Sequence, residues 1–234
     1  MKIITNPKLI KRNRQIGQTT TIVALVVLAV GLYISFAVQS LVTYSFLALI
    51  VGFLLSQIGI YFTSRWGRSP RPDESLSAAL KGLDDKYSLY HYRTAVSHLL
   101  VGPAGIWVLL PYSQKGVITY DNSKHRWKQK GGSAFLKIFS QEGLGRPDLD
   151  AKSAADNLQR FFLKEFTDAN IPQIQSAIIF VEPGTDVEAQ EAPIPTLSAD
   201  KLKDFIRRQA KQDPLQLEQI KLIQTSLPSD GIDQ

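Results

Sequence analysis

Few residues of this chain could do chemistry by type and spacing, and most of them lie between His91 and Lys137. There is no cysteine, and no two of the three histidines, His91, His98 and His125, stand at the spacing that sets two ligands on one helix face. Thiolate metal sites are excluded, and a zinc site built from histidine is not expected. Ser97 and His98 are adjacent, but neighbours on a strand point to opposite faces, so they form no nucleophile–base dyad. Gly131-Gly132-Ser133 follows Lys130 without the Gly-Lys-Ser/Thr of a phosphate loop and reads as a turn. Asp148, Asp150, Asp156 and Glu165 lack the spacing of a metal loop and read as cap and surface charge. The segment 114–141 gathers Lys115, Lys124, His125, Arg126, Lys128, Lys130 and Lys137 around Trp127, with Asp121 its only acid. Three readings of that basic segment stand open. It could grip nucleic-acid phosphates while Trp127 stacks on a base. It could lie against anionic lipid headgroups. Or it is a solvated edge whose lysines discourage strand-to-strand pairing.

The elements that must position these residues fall into two parts of unlike charge. Residues 1–72 hold Lys2, Lys8, Lys11, Arg12, Arg14, Arg65, Arg68 and Arg71 and no acid, so the formal net charge of +6 resides in this stretch, the rest of the chain being slightly acidic. Two uncharged runs, 20–38 and 41–62, each come near the roughly 20 residues that cross a hydrocarbon core as a helix. A helix satisfies its own backbone polar groups, as lipid cannot. "FAVQS" is a poor small-residue cleavage site, which disfavours a signal peptide. Lys/Arg flank both outer ends and the connecting turn has none, so the positive-inside rule puts both termini in the cytoplasm of a two-span protein of the cell membrane. Tyr61, Phe62 and Trp66 suit an aromatic belt. Gly31 and Gly52 have no Gly-xxx-Gly partner, which gives helix dimerisation little support.

After a Pro/Arg linker, the pattern becomes that of an α/β domain. Leu76, Ala79, Leu80 and Leu83 recur at helical spacing. "YSLYHYRTAVSHLLV" and "GIWVLLPY" read as strands punctuated by Gly102-Pro103, the second apolar enough to be central. "GVITY" and "RWKQK" follow as strands. Ala154, Ala155, Leu158, Phe161, Phe162 and Phe166 mark one side of a helix. "QSAIIFVEP" reads as a buried strand, 183–195 as an exposed loop, and "SADKLKDFIRRQ" as a helix capped by Ser198. The expected organisation is a basic N-terminus (1–19), a transmembrane hairpin (20–62), a linker (63–72), an α/β domain (73–212), and a C-terminal helix with a disordered tail (213–234).

"AVSHLLVGPAGIWVL", "KGVITYDNSKHRW" and "IPQIQSAIIFVEPGTDV" together resemble the nuclease-related NERD family, over about 73–208. The resemblance implies a restriction-endonuclease-like domain, a central mixed sheet flanked by helices, joined here to the membrane hairpin. It also implies a metal site, in which a carboxylate ends one strand and a Glu-x-Lys ends the next. Such acids hold Mg²⁺ through oxygen, and the ion activates water. In this chain those positions hold Ser97, Leu110 and Tyr112. Glu74 stands where the family often has a Glu, Lys115 is a displaced cation, and Asp150 replaces the Gln that opens the family's later helix. Hydroxyl, isobutyl and phenol do not replace carboxylates around Mg²⁺. The expectation is a non-catalytic, membrane-anchored module with no cofactor, binding a protein partner, a nucleic acid or the inner leaflet. The alternative is a Mg²⁺-dependent nuclease with a rearranged site that uses Glu74, Asp150 and Lys115.

Overall fold

The computed structural model describes residues 1–131, 144–165 and 172–228. It resolves into two compact units: Pro7–Arg71, and Met1–Asn6 together with the chain from Pro72 onward.

The first unit is a helical hairpin, α1 (Pro7–Ala37) and α2 (Val42–Phe62), followed by a π-type turn at Thr63–Gly67. Both helices are long and apolar enough to cross a bilayer. What they bury is small: Gly17, Ala24 and Gly31 on α1, and Ser45, Gly52 and Gly59 on α2. Each set recurs every seven residues, the period of a left-handed pair of helices. The backbones are close enough that a Cβ added to Gly31 would stand 3.1 Å from Ala48 Cβ, and one at Gly59 would stand 3.1 Å from Thr21 Cα. The glycines without a Gly-xxx-Gly partner are thus the seam of the hairpin itself, spaced by seven instead of four. Large apolar side chains such as Ile22, Leu25, Tyr33, Phe36, Phe46 and Phe53 point outward, as a lipid-facing surface requires. Trp66 is buried, so of the three aromatic residues expected in an interfacial belt it faces inward.

The second unit is a mixed α/β structure. Its strands are β1 (Lys2–Thr5), β2 (Ser88–His91), β3 (His98–Gly102), β4 (Gly105–Tyr112), β5 (Val117–Asp121), β6 (Arg126–Lys130), β7 (Ile174–Phe180), β8 (Asp186–Glu188) and β9 (Thr196–Ser198). Its helices are α3 (Pro72–Ala79), α4 (Pro147–Glu165), α5 (Ala199–Gln212) and α6 (Leu217–Ser226). A six-stranded sheet runs β1-β2-β3-β4-β7-β9 and a three-stranded sheet runs β6-β5-β8. In the larger sheet β2, β3 and β4 are antiparallel, and the remaining pairings are parallel. The β3–β4 hairpin turns through Pro103-Ala104, with Gly105 at φ 101° taking a conformation that a side chain would strain.

Strand alternation sorts the core into two layers. Leu89, Leu100, Trp107, Leu109 and Ile179 face Leu76 of α3, Leu80 just past its end, and Leu202 and Ile206 of α5. Ile4, Tyr90, Leu99, Ile106 and Val108 face Leu158 and Phe162 of α4 and Ile220 and Ile223 of α6. The small sheet contributes Ile118 and Trp127, which meet Ile178 and Phe180 of β7. Strand β4, covered on both faces, is apolar almost throughout, as its burial demands.

Several boundaries differ from the sequence reading. The segment 1–19 divides: its first residues form β1, where Ile4 enters the core, and α1 begins at Pro7. The segment 183–195, expected as loop, contains β8 and leads into β9, two strands of three residues each, too short to leave an alternation pattern. The helix within 213–234 packs its isoleucines into the core and belongs to the α/β unit. Ser198 holds the N-cap position of α5, but its hydroxyl makes no capping hydrogen bond. Phe166, Lys137, Gly132, Ser133 and the tail from 229 lie outside the described residues.

Candidate functional site

The end of β4 is where the expected metal chemistry would sit, and three elements define it. Leu110 is half-buried and packs against the apolar cluster under α4. Tyr112, two residues on and on the same face, lays its ring 5.9 Å from that of Phe180 on β7. Its hydroxyl donates to Asp150 Oδ2 at 2.7 Å. Ser97 lies in the bend before β3, exposed, and its carbonyl accepts the Tyr92 N–H at 2.8 Å.

The first turn of α4 supplies the carboxylates of this region. Asp148 Oδ1 accepts Trp127 Nε1–H at 3.1 Å, and its Oδ2 accepts from Arg146 at 3.2 Å. Burial works to raise the Asp148 carboxyl, but the Arg146 hydrogen bond and charge, a backbone N–H and the Trp127 N–H outweigh it and hold the group below its ordinary value. The positive end of the helix dipole favours both Asp148 and Asp150 here. These acids are thus engaged by organic donors: a phenol, an indole and a guanidinium.

The other candidates do not converge on this point. Glu74 rides on α3, the layer over the opposite face of the sheet from α4. Lys115, in the β4–β5 connection, pairs with Glu182 at 3.2 Å. Glu74, Asp150 and Lys115 are therefore distributed over two layers and a loop. Among the described residues no group of three His, Asp or Glu side chains is placed to hold a metal ion.

The basic segment forms the hairpin of the small sheet. Arg126, Lys128 and Lys130 are exposed and alternate with Trp127, which is 6% exposed and faces the core. An indole in that position does not stack on a base, contrary to the nucleic-acid reading of Trp127. The register also balances the charge. Lys130 lies across from Val117 and, beyond it, Asp186, while Lys128 lies across from Thr119 and then Glu188. Arg126 stands opposite Asp121, which also takes Lys128 Nζ at 2.7 Å. The Lys128 hydrogen bond, followed by that of Ser123, holds the Asp121 carboxyl well below the usual carboxylate range. Three cations from β6 thus share one face with Asp121, Asp186 and Glu188. Lys124 sits exposed in the β5–β6 turn, and Lys137 is outside the described residues.

One polar cluster escapes a sequence reading. His91 and His98 are directly opposed across β2 and β3, both buried, with Nδ1 atoms 2.8 Å apart. His91 Nε2 lies 2.9 Å from Ser77 Oγ on α3. One proton between the two Nδ1 atoms fixes complementary tautomers, since an imidazole nitrogen donates or accepts but does not do both. His98 thus turns toward the α3 layer, away from its neighbour Ser97. The signal was the antiparallel pairing: two histidines that close one loop at the same register meet only once the partner strands are known.

Compared with known protein families, curated proteins and solved structures, the chain matches none. The chain is an apolar two-helix hairpin carried with a mixed-sheet α/β domain.

Proposed function

We propose that this protein is a membrane-anchored, non-catalytic module with a NERD-like, restriction-endonuclease-like cytoplasmic domain that acts by binding. The observation that carries this reading is the end of β4. There Leu110 fills apolar space and the Tyr112 hydroxyl is committed to Asp150. A hard cation needs several anionic oxygens in convergent positions. Making room for one would unpack Leu110 and break the Tyr112–Asp150 bond.

The membrane arrangement is supported by β1. Residues before α1 and residues after α2 build one sheet. Two spans between them return the chain to its starting side, and the distribution of Lys and Arg makes that side the cytoplasm. The charge balance on the β6-β5-β8 face favours a protein partner over nucleic acid or anionic headgroups for this domain.

The test is to incubate the full chain, in lipid nanodiscs, with DNA and RNA in Mg²⁺ or Mn²⁺. No cleavage above background is expected. Metal-dependent cleavage abolished by Asp150→Asn would establish the rearranged nuclease instead.

A further inference from the structure

Positive charge gathers at the base of the helical hairpin. Lys8, Lys11, Arg12 and Arg14 occupy the first turns of α1, and Arg65, Arg68 and Arg71 follow α2, with no acid anywhere in residues 1–72. Antiparallel pairing gathers them at one end: a Cβ at Gly17 would stand 2.9 Å from Phe62 Cβ and 3.0 Å from Thr63 N. The opposite end, around Ala37–Val42, carries no charge.

These side chains point outward. Lys8, Lys11 and Arg12 are related by three and four residues and share a stripe of α1. That stripe lies on the far side of the helix from Gly17, which faces α2. Lys11, Arg12, Arg14, Arg65 and Arg68 are exposed, and none of the five forms an ion pair among the described residues.

Length places them at headgroup depth. α1 has 31 residues, or about 46 Å at the helical rise, against a hydrocarbon core of ~30 Å. The surplus is the basic N-terminal part, since Arg14 is the last charged residue of α1. Guanidinium groups suit phosphate because their planar fork matches two oxygens at once.

We propose that Lys11, Arg12, Arg14, Arg65 and Arg68 form a collar that binds the phosphate headgroups of anionic phospholipids and surrounds the hairpin with them. This rests on the membrane reading above and adds the class of lipid and the residues that select it. It also moves headgroup recognition from the charge-balanced β5–β6 hairpin to the base of the spans.

The test uses the full chain in nanodiscs of phosphatidylcholine with a minority of phosphatidylglycerol, with spin-labelled versions of each lipid reporting which one lines the protein. Wild type should prefer phosphatidylglycerol by about fivefold, the factor for roughly one cation acting at a charged surface, and the preference should shrink as salt rises. Replacing all five residues by Gln should abolish it, and the pair Lys11→Gln/Arg12→Gln should reduce it. Arg126→Gln/Lys128→Gln/Lys130→Gln on β6 should leave it unchanged. Insertion without lipid preference, a preference that survives the five-residue variant, or one lost in the β6 variant overturns the collar and leaves the anchor intact. A chain that alkaline carbonate strips from the membrane overturns both.

Discussion

Ile4 provides the most direct check on how this chain is assembled. If residues 1–19 were only a basic flank, no apolar residue there would matter to the α/β domain. In β1, however, Ile4 pairs with Tyr90 in register and is 2% exposed, whereas its neighbour Ile3 is 44% exposed. Ile4→Ala removes three carbon atoms from the core, about 2.4 kcal/mol at ~0.8 kcal/mol per buried methylene. A residual cavity adds to this, limited because an edge strand can partly collapse, for a total of about 3 kcal/mol. For a domain of this size that is a fall in Tm of roughly 6–12 °C. Ile3→Ala removes the same atoms from a half-solvated position and should cost about 0.5 kcal/mol or less. The assay is thermal unfolding of the full chain in detergent, followed by near-ultraviolet circular dichroism of the α/β unit. Equal losses from the two variants, or none from Ile4→Ala, would refute the integration of β1 and with it the argument that both ends of the hairpin lie on one side.

Further outcomes follow from the same packing. Gly59→Val should force α1 and α2 apart, because even a Cβ there meets the Thr21 backbone; overpacking of this kind costs about 1–3 kcal/mol, read as a lower unfolding temperature of the hairpin. His98→Phe keeps the ring but takes away the nitrogen facing His91 Nδ1, and should destabilise the domain by about 1–3 kcal/mol, measured by chemical denaturation. Asp148 has its carboxyl held below its ordinary value. The stability it contributes is therefore fully present above that value and lost as pH falls through its lower folded pKa. An acid-unfolding profile should flatten over that range in Asp148→Asn.

Elements with strong local patterns were legible in the sequence, and those defined by their partners were not. The uncharged runs and the apolar strand 106–110 announce themselves because each must be buried, in lipid or between helix layers. β1 does not, because "KIIT" is four residues of edge strand beside a basic helix start, and only pairing with β2 explains it. The seam of Gly17, Gly31, Gly52 and Gly59 is visible at a spacing of seven once a left-handed pair is considered, and invisible at four. The basic segment misleads for a related reason. Its neutralising acids, Asp186 and Glu188, arrive from a strand far along the chain, and no local window contains them. At the end of β4 the identities of Leu110 and Tyr112 could be read directly, but the bond from Tyr112 to Asp150 could not.

That bond also explains what acids are doing where no metal chemistry is expected. A carboxylate serves as a metal ligand only if its lone pairs are not already better used. Asp148 gives one oxygen to an indole from the small sheet and the other to Arg146, and Asp150 gives an oxygen to a phenol from the large sheet. A single turn of α4 thereby ties β4 and β6, two strands of different sheets, to one helix end whose dipole favours negative charge. Mg²⁺ sheds its water reluctantly and demands near-octahedral oxygen geometry. To recruit these acids it would have to displace an ion pair and two charge-assisted hydrogen bonds from neutral donors while Leu110 stayed unable to contribute a ligand. The same two aspartates that could look like a remnant of catalysis are more economically read as the clamp that joins the two sheets.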